Sequence, residues 1–260
     1  MTNDTAKLAL IVSNSEKAQS GAIKLRESHD WVRPAEADIY VVVGGDGFML
    51  HVLHEMLNRG HVRPCYGINL GTVGFLMNRE RSKRSIAERV ARARSVDVIP
   101  LEMDAITQEG EHHHFFAINE VSLLRETRQT AKLEVEVNGK VRMPELAGDG
   151  VLVSTSAGST AYNFSANGPI LPLGCRLLAL TPISPFRPRR WRGAIIPESA
   201  KVSFRVREPE KRPVAAVADQ KEVRDVAEVH IRAARSHVLT LLFDPGKSLE
   251  ERIFAEQFEV

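Results

Sequence analysis

The chain has 260 residues, 43% hydrophobic and 26% charged, with a formal net charge of +2. That length supports one large domain or two modest ones, and the near-neutral charge excludes the broad basic field of a nucleic-acid binder. Two cysteines, Cys65 and Cys175, exclude a disulfide framework and suit a reducing compartment.

In chain order, Leu8 to Ser13 reads as a buried strand and Ser15 to Glu27 as a helix. Ile39 to Val43 is a second buried strand that runs into Gly44-Gly45-Asp46-Gly47, and a helical pattern follows with Met49, Leu50, Leu53 and Leu57 on one face. Tyr66 to Asn69 is a third strand ending near Gly71, and the basic stretch Arg79 to Arg94 reads as a solvated helix with Ile86 and Val90 buried. This alternation predicts a Rossmann-like parallel sheet covered by helices.

The texture changes after Pro100. Val121 to Leu124, Gly150 to Ser154, Lys201 to Val206 and Glu228 to Arg232 are strand-like. Ala131 to Val137 alternates with period two, and Asn138-Gly139 behind it is a hairpin signal. The expected organisation is an α/β domain over residues 1–99, a β-rich domain over 100–237, and a segment, 238–260, packing back on the first domain. The tail from Leu249 to Phe258 has a helical pattern. No apolar run approaches the roughly 20 residues that span a bilayer, and Met1-Thr2-Asn3-Asp4-Thr5 lacks a signal-peptide pattern. The expectation is a cytoplasmic protein with no membrane or nucleic-acid partner.

The glycine turn at 44–47 carries the first chemistry. Glycines let a backbone approach a ligand without a Cβ in the way, and the helix that follows directs N–H groups and its positive end at an anion. No Gly-Lys-Ser/Thr follows, and the spacing is not G-x-G-x-x-G. Asp46 beside phosphates has two functional readings, ligand to Mg²⁺ or acceptor of a hydroxyl proton; the alternative is an ordinary Asp-Gly turn.

Asn69-Leu70-Gly71-Thr72-Val73-Gly74-Phe75-Leu76 repeats the device after the next strand, and paired turns at strand carboxyl ends form a ligand crevice in open α/β sheets. Asn119-Glu120, an amide beside a carboxylate, suits a ribose diol but also suits a surface turn. From Leu146 to Leu173 a strand empties into small hydroxyl residues around Gly158, with a short helix starting near Thr160 and Tyr162 available for stacking.

Taken together, Gly44 to Gly47, Asn69 to Leu76, Asn119-Glu120 and Gly148 to Pro172 resemble the NAD kinase family, in the family's order. The resemblance covers roughly Ile39 to Asp225, and its most specific part is Asp149 to Pro172; lipid kinases and phosphofructokinases share the glycine-aspartate motif. It implies an α/β N-terminal domain, a β-rich C-terminal domain and NAD between them, in homodimers or homotetramers. It implies phosphoryl transfer from ATP, with Mg²⁺, to the 2′-hydroxyl of the adenosine ribose of NAD. Asp46 then corresponds to the catalytic base, with Gly47 beside it at the substrate; Gly44, Gly45, Gly71 and Thr72 correspond to phosphate and ATP contacts. Asn119 and Glu120 would hold the ribose and a nearby phosphate. Asp149, Ala157, Ser159, Thr160, Ala161, Tyr162 and Ser165 would contact the adenine and nicotinamide ends, and Asp219 would lie near the substrate. No residue is assigned as a metal ligand. Phe48 after the glycine-aspartate motif, Asn167 before Gly168-Pro169, and Gln220-Lys221 after Asp219 depart from the commoner pattern, which bears on donor preference.

Two rivals remain open on the residues alone. A lipid kinase would need an acyl channel, against which the hydroxyl-rich turn at 154–165 speaks. A non-catalytic NAD sensor would have no need of Asp46. His112-His113-His114 makes a poor chelate because strand neighbours point to opposite faces. His51 and His54 read as helix-surface or subsite residues, and both cysteines as buried small residues. Pro185 to Arg192 is a basic, aromatic segment that suits a subunit contact or a phosphate-facing loop.

Overall fold

The computed structural model describes residues 6–70, 74–79 and 84–245. In chain order the elements are β1 (Leu8–Val12), α1 (Glu16–Glu27), β2 (Ile39–Gly44), α2 (Asp46–Arg59), β3 (Cys65–Asn69), β4 (Asn78–Arg79), α3 (Ile86–Arg92) and β5 (Arg94–Val98). Then follow β6 (Leu101–Thr107), β7 (His112–Ala117), β8 (Glu120–Arg125), β9 (Ala131–Val137), β10 (Lys140–Gly148), β11 (Gly150–Ser154), α4 (Tyr162–Ser165), β12 (Leu177–Ile183) and β13 (Ala194–Pro197). The last are β14 (Val202–Val206), β15 (Val214–Ala218), β16 (Lys221–Val223), β17 (Val226–Ala233) and β18 (Leu239–Phe243).

These elements form two compact units, one built from the chain up to Val98 together with the return from Val238, the other from Ile99–His237. In the first unit the strand order is β1-β2-β3-β18-β5, with β4 paired to β3. The neighbours from β1 to β18 run parallel, and β5 runs antiparallel to β18. Helices lie on both faces, which is why Val41, Val42 and Val43 are all fully buried. Ala18, Ile86 and Val90 pack with Val41 and Val43 on one face. On the other, Met49 of α2 closes over Gly67, where a Cβ would lie 2.7 Å from Met49 Cε.

Ser15 caps α1 by accepting the Ala18 N–H, and α2 ends on Gly60 in the left-handed region. The stretch 79–94 is not one helix. Arg79 lies in β4, α3 begins after Ser85, which forms a reciprocal capping box with Glu88, and Arg94 opens β5. Nor is its basic face wholly solvated. Arg89 is 4% exposed, donates to Asp244 Oδ2 at 2.6 Å, and lies 5.4 Å from the Tyr66 ring centroid. Tyr66 donates to Asp244 Oδ1 at 2.6 Å, and burial with that carboxylate contact holds its phenol well above the usual range. Cys65 is buried, its thiol pushed up to about 12 by burial; Cys175 is only partly buried, against expectation. The tail helix expected at 249–258 lies outside the described residues.

The second unit is a sandwich of two antiparallel six-stranded sheets, β10-β9-β14-β17-β6-β7 and β13-β12-β11-β8-β15-β16. One apolar core fills the space between them, with Met103, Leu133, Phe204 and Ile231 from the first sheet and Leu123, Val151, Val153 and Val214 from the second. Period-two alternation keeps the opposite face of the first sheet polar. There Arg205 bridges Glu134 and Glu228 across three strands. Asn138 and Gly139 both have positive φ, as a two-residue type I′ hairpin requires. The histidine triplet opens the edge strand β7, where His113 stacks on Phe115 and His114 pairs with Asp104 at 2.7 Å.

Candidate active site

The first group of site residues sits at the carboxyl end of β2. That strand ends at Gly44 and α2 begins at Asp46, so the aspartate occupies the first helical turn. Its carboxylate accepts the Phe75 N–H at Oδ2 (2.6 Å) and the Leu76 N–H at Oδ1 (3.0 Å). Asp46 therefore ties the glycine turn to the loop after β3, and two donors fix the orientation of its carboxylate.

Gly74 is required by that tie. A Cβ there would lie 2.5 Å from Asp46 Oδ1 and 3.0 Å from Asn69 Nδ2. Gly45 and Gly47 are exposed, and nothing lies within 4 Å of where their Cβ atoms would be. They leave open the backbone approach that a phosphate needs. Gly44 is buried against Phe48 instead, so its smallness serves packing. Gly71 and Thr72 lie outside the described residues.

The second group is held by β8, β11 and the turns beside them. Asp219, at the β15–β16 turn with φ of 51°, accepts the N–H groups of Ile118 (2.6 Å), Asn119 (3.0 Å) and Glu120 (3.1 Å). Its own N–H donates to Glu120 O at 3.1 Å. From the other side, Thr155 N–H donates to Asn119 O (2.9 Å) and Thr155 Oγ1 to Ile118 O (2.7 Å). Gly158 then passes so close that a Cβ would sit 2.2 Å from Asn119 O. The Asn119-Glu120 turn is thus gripped on both faces by backbone bonds, leaving its side chains to face elsewhere.

Glu120 is electrostatically the most perturbed of these groups. Its carboxyl is pushed up to about 8, chiefly by burial and then by the negative charge of Asp219. Glu120 Oε2 is buried with no hydrogen-bond partner. Tyr162 in α4 feels the same field: burial, then Glu120, then Asp149 hold its phenol above the usual range. Asp149 accepts from Arg125 Nε at 2.6 Å, and Asp149, Arg125 and Tyr162 line a cavity of about 470 Å³ with Leu124, Thr127 and Ile183. That volume falls in the range of small-molecule sites.

The hydroxyl-rich turn divides by role. Ser159 is fully buried, its hydroxyl donating to Ser156 O (2.9 Å) and accepting the Leu171 N–H (3.0 Å); Ala157 is also buried. Thr160, Ala161 and Tyr162 are partly exposed and Ser165 is exposed. The turn is organised by Asn163, which sequence reasoning missed. Fully buried, it donates to Ser159 O (3.0 Å) and Pro169 O (2.9 Å) and accepts from Thr181 Oγ1 (2.7 Å). Gly168 is bare where a Cβ would fall 2.1 Å from Asn163 Oδ1. An asparagine inside the short predicted helix was the available signal; Arg125, bonded to a residue 24 positions away, gave none.

Among the described residues, no group of three or more His, Cys, Asp and Glu side chains is gathered to hold a metal ion, and no helix is long and apolar enough to cross a membrane. Comparison with known proteins completes the picture. Residues 3–94 match the ATP-NAD kinase N-terminal domain and residues 118–242 the ATP-NAD kinase C-terminal domain. The chain is 57% identical over 254 residues to an NAD kinase of Rhizorhabdus wittichii and 53% identical over 254 residues to one of Zymomonas mobilis, in each case covering 98% of both chains. In structure it is similar to yeast NADH kinase complexed with NADH (TM-score 0.79, 19% identity, covering 99% of this chain and 88% of that one). It is also similar to an NAD kinase from Archaeoglobus fulgidus in complex with ATP (TM-score 0.75, 22% identity, covering 98% and 99%). By both domain matches and by full-length identity, the chain belongs to the ATP-NAD kinase family.

Proposed function

We propose that this chain transfers the γ-phosphoryl group of ATP to the 2′-hydroxyl of the adenosine ribose of NAD, giving NADP, with Asp46 as general base. The observation that carries the reading is the setting of Asp46: a carboxylate on the first turn of α2, flanked by exposed glycines and oriented by two backbone N–H groups. In this reading the 2′-hydroxyl loses its proton to Asp46 as its oxygen bonds to the γ-phosphorus, and the bond from phosphorus to the β,γ-bridging oxygen breaks to release ADP. Phosphoryl transfer is chiefly positioning and charge stabilisation. The backbone at Gly45 and Gly47 and the positive end of α2 supply both to the phosphates. Mg²⁺ belongs to the substrate, entering on the phosphates of ATP.

Asn119 and Glu120 hold the dinucleotide, with Thr160, Ala161, Tyr162 and Ser165 as the accessible contacts of the hydroxyl-rich turn. Asp149 and Tyr162 serve the cavity they line. Ser159 and Ala157 act from inside the turn by fixing its shape. A homodimer or homotetramer in the cytoplasm completes the proposal, and light scattering on the purified protein reads the assembly directly.

The test is to incubate the protein with NAD, ATP and Mg²⁺ and to measure NADP with an NADP-specific dehydrogenase. The reading requires NADP that depends on both substrates. NAD binding without NADP would identify a sensor, and neither binding nor product would point to another acceptor such as a lipid.

A further inference from the structure

Asp219 has the sequence position of a ligand contact but spends its carboxylate on the protein's own backbone. Three consecutive N–H groups, Ile118 to Glu120, converge on it, and its own N–H returns a bond to Glu120 O. This places the Asp219 carboxylate behind Glu120, whose side chain is partly buried and whose Oε2 is buried with no hydrogen-bond partner. Tyr162 of α4 lies within the electrostatic reach of both Glu120 and Asp149, which together with burial hold its phenol above the usual range. Arg125, at the opposite end of β8, pairs with Asp149.

We propose that Asp219 is a positioning residue and that Glu120 meets the dinucleotide as a carboxylic acid, donating an O–H to an acceptor atom of the ligand. This rests on the site assignment above and adds to it the chemical form in which Glu120 binds. Three converging N–H bonds hold the Asp219 carboxylate in place. A second carboxylate beside it, partly buried and with Asp219 as the charge acting on it among the described residues, is stabilised by retaining its proton, as its rise to about 8 reflects. A protonated carboxyl has one donor to offer, and the unpartnered Oε2 is where it is offered. The subsite therefore selects a ligand group that accepts a hydrogen bond, such as a ribose, carbonyl or phosphate oxygen or a ring nitrogen. A ligand group that can only donate would leave the proton of Glu120 buried and unpaired.

The experiment measures the Kd of NAD by calorimetry between pH 6 and pH 9.5 for the wild type, Glu120→Gln and Asp219→Asn. The acid form is the binding form, so affinity is full below about pH 8 and falls up to tenfold per pH unit above it. Glu120→Gln keeps a donor and loses the titration: its Kd stays within threefold of the low-pH wild-type value across the whole range. Asp219→Asn weakens the grip on residues 118–120 and removes the charge, so Kd rises at least tenfold at pH 7 and the alkaline fall begins at lower pH. A wild-type Kd that is flat or improves towards pH 9.5, or a Glu120→Gln variant losing more than tenfold at pH 7, would show that Glu120 binds as a carboxylate and overturn the proposal. Failure of the wild type to bind NAD at any pH would overturn the site assignment itself, and the proposal with it.

Discussion

Gly158 shows how tightly single residues are specified in the second unit. A methyl group at this position meets the backbone of Asn119, where a side chain has nowhere to move. Gly158→Ala should lower stability by about 1–3 kcal/mol and raise the KM for NAD more than tenfold by displacing Asn119; unchanged values would show that the loop yields freely. Asn163 is the converse case, a polar side chain inside the turn. Asn163→Ala leaves the buried Ser159 carbonyl, the partly buried Pro169 carbonyl and the Thr181 hydroxyl without this partner, at a cost of about 2–3 kcal/mol. Denaturant unfolding of the variant checks this, and a loss under 0.5 kcal/mol, by about the scale of a surface change, would refute it. Glu120 carries a pH dependence of stability as well. Its folded-state proton affinity is raised from 4.5 to about 8, so the stability it contributes is complete below pH 4.5 and is lost as pH climbs through about 8. Glu120→Gln should accordingly raise the Tm of the free protein more at pH 8 than at pH 5.

At the scale of elements, β18 matters most. It returns the chain to the first unit, pairing parallel to β3 and antiparallel to β5, and Asp244 just beyond it ties Tyr66 to Arg89. Asp244→Ala should destabilise the protein by about 2–3 kcal/mol, because Arg89 stays buried without that carboxylate. Thermal unfolding of Asp244→Ala beside Asp244→Asn, which keeps a hydrogen-bond acceptor, separates charge from hydrogen bonding. Much of the architecture was legible in the sequence because its signals are local. Val41 to Val43 could be buried on both sides only in a helix-covered sheet, and Asn138-Gly139 announced its own turn. The run 79–94 was misread because its arginines look solvated until Asp244, 155 positions from Arg89, is brought alongside. The grip on Asn119-Glu120 was hidden for the same reason: Asp219 lies a hundred residues away, and nothing local says that its oxygens are taken by backbone N–H groups.

The whole chain divides its chemistry as it divides its folds. In the proposed reading, the α/β unit carries the reacting carboxylate at the end of a parallel strand, where helix and glycines favour phosphate. In the same reading, the sandwich carries the recognition residues on turns between its antiparallel strands. A catalytic role in one unit and a binding role in the other should come apart on mutation, and Asp46→Asn measures that most directly. With NAD, ATP and Mg²⁺ at saturation, kcat should fall by about 10²–10⁴ while the Kd of NAD stays within threefold. The asparagine retains one oxygen for the Phe75 or Leu76 N–H, so the fold should persist. A variant that keeps more than a tenth of the wild-type kcat would contradict the account and leave Asp46 a residue that merely ties two loops together.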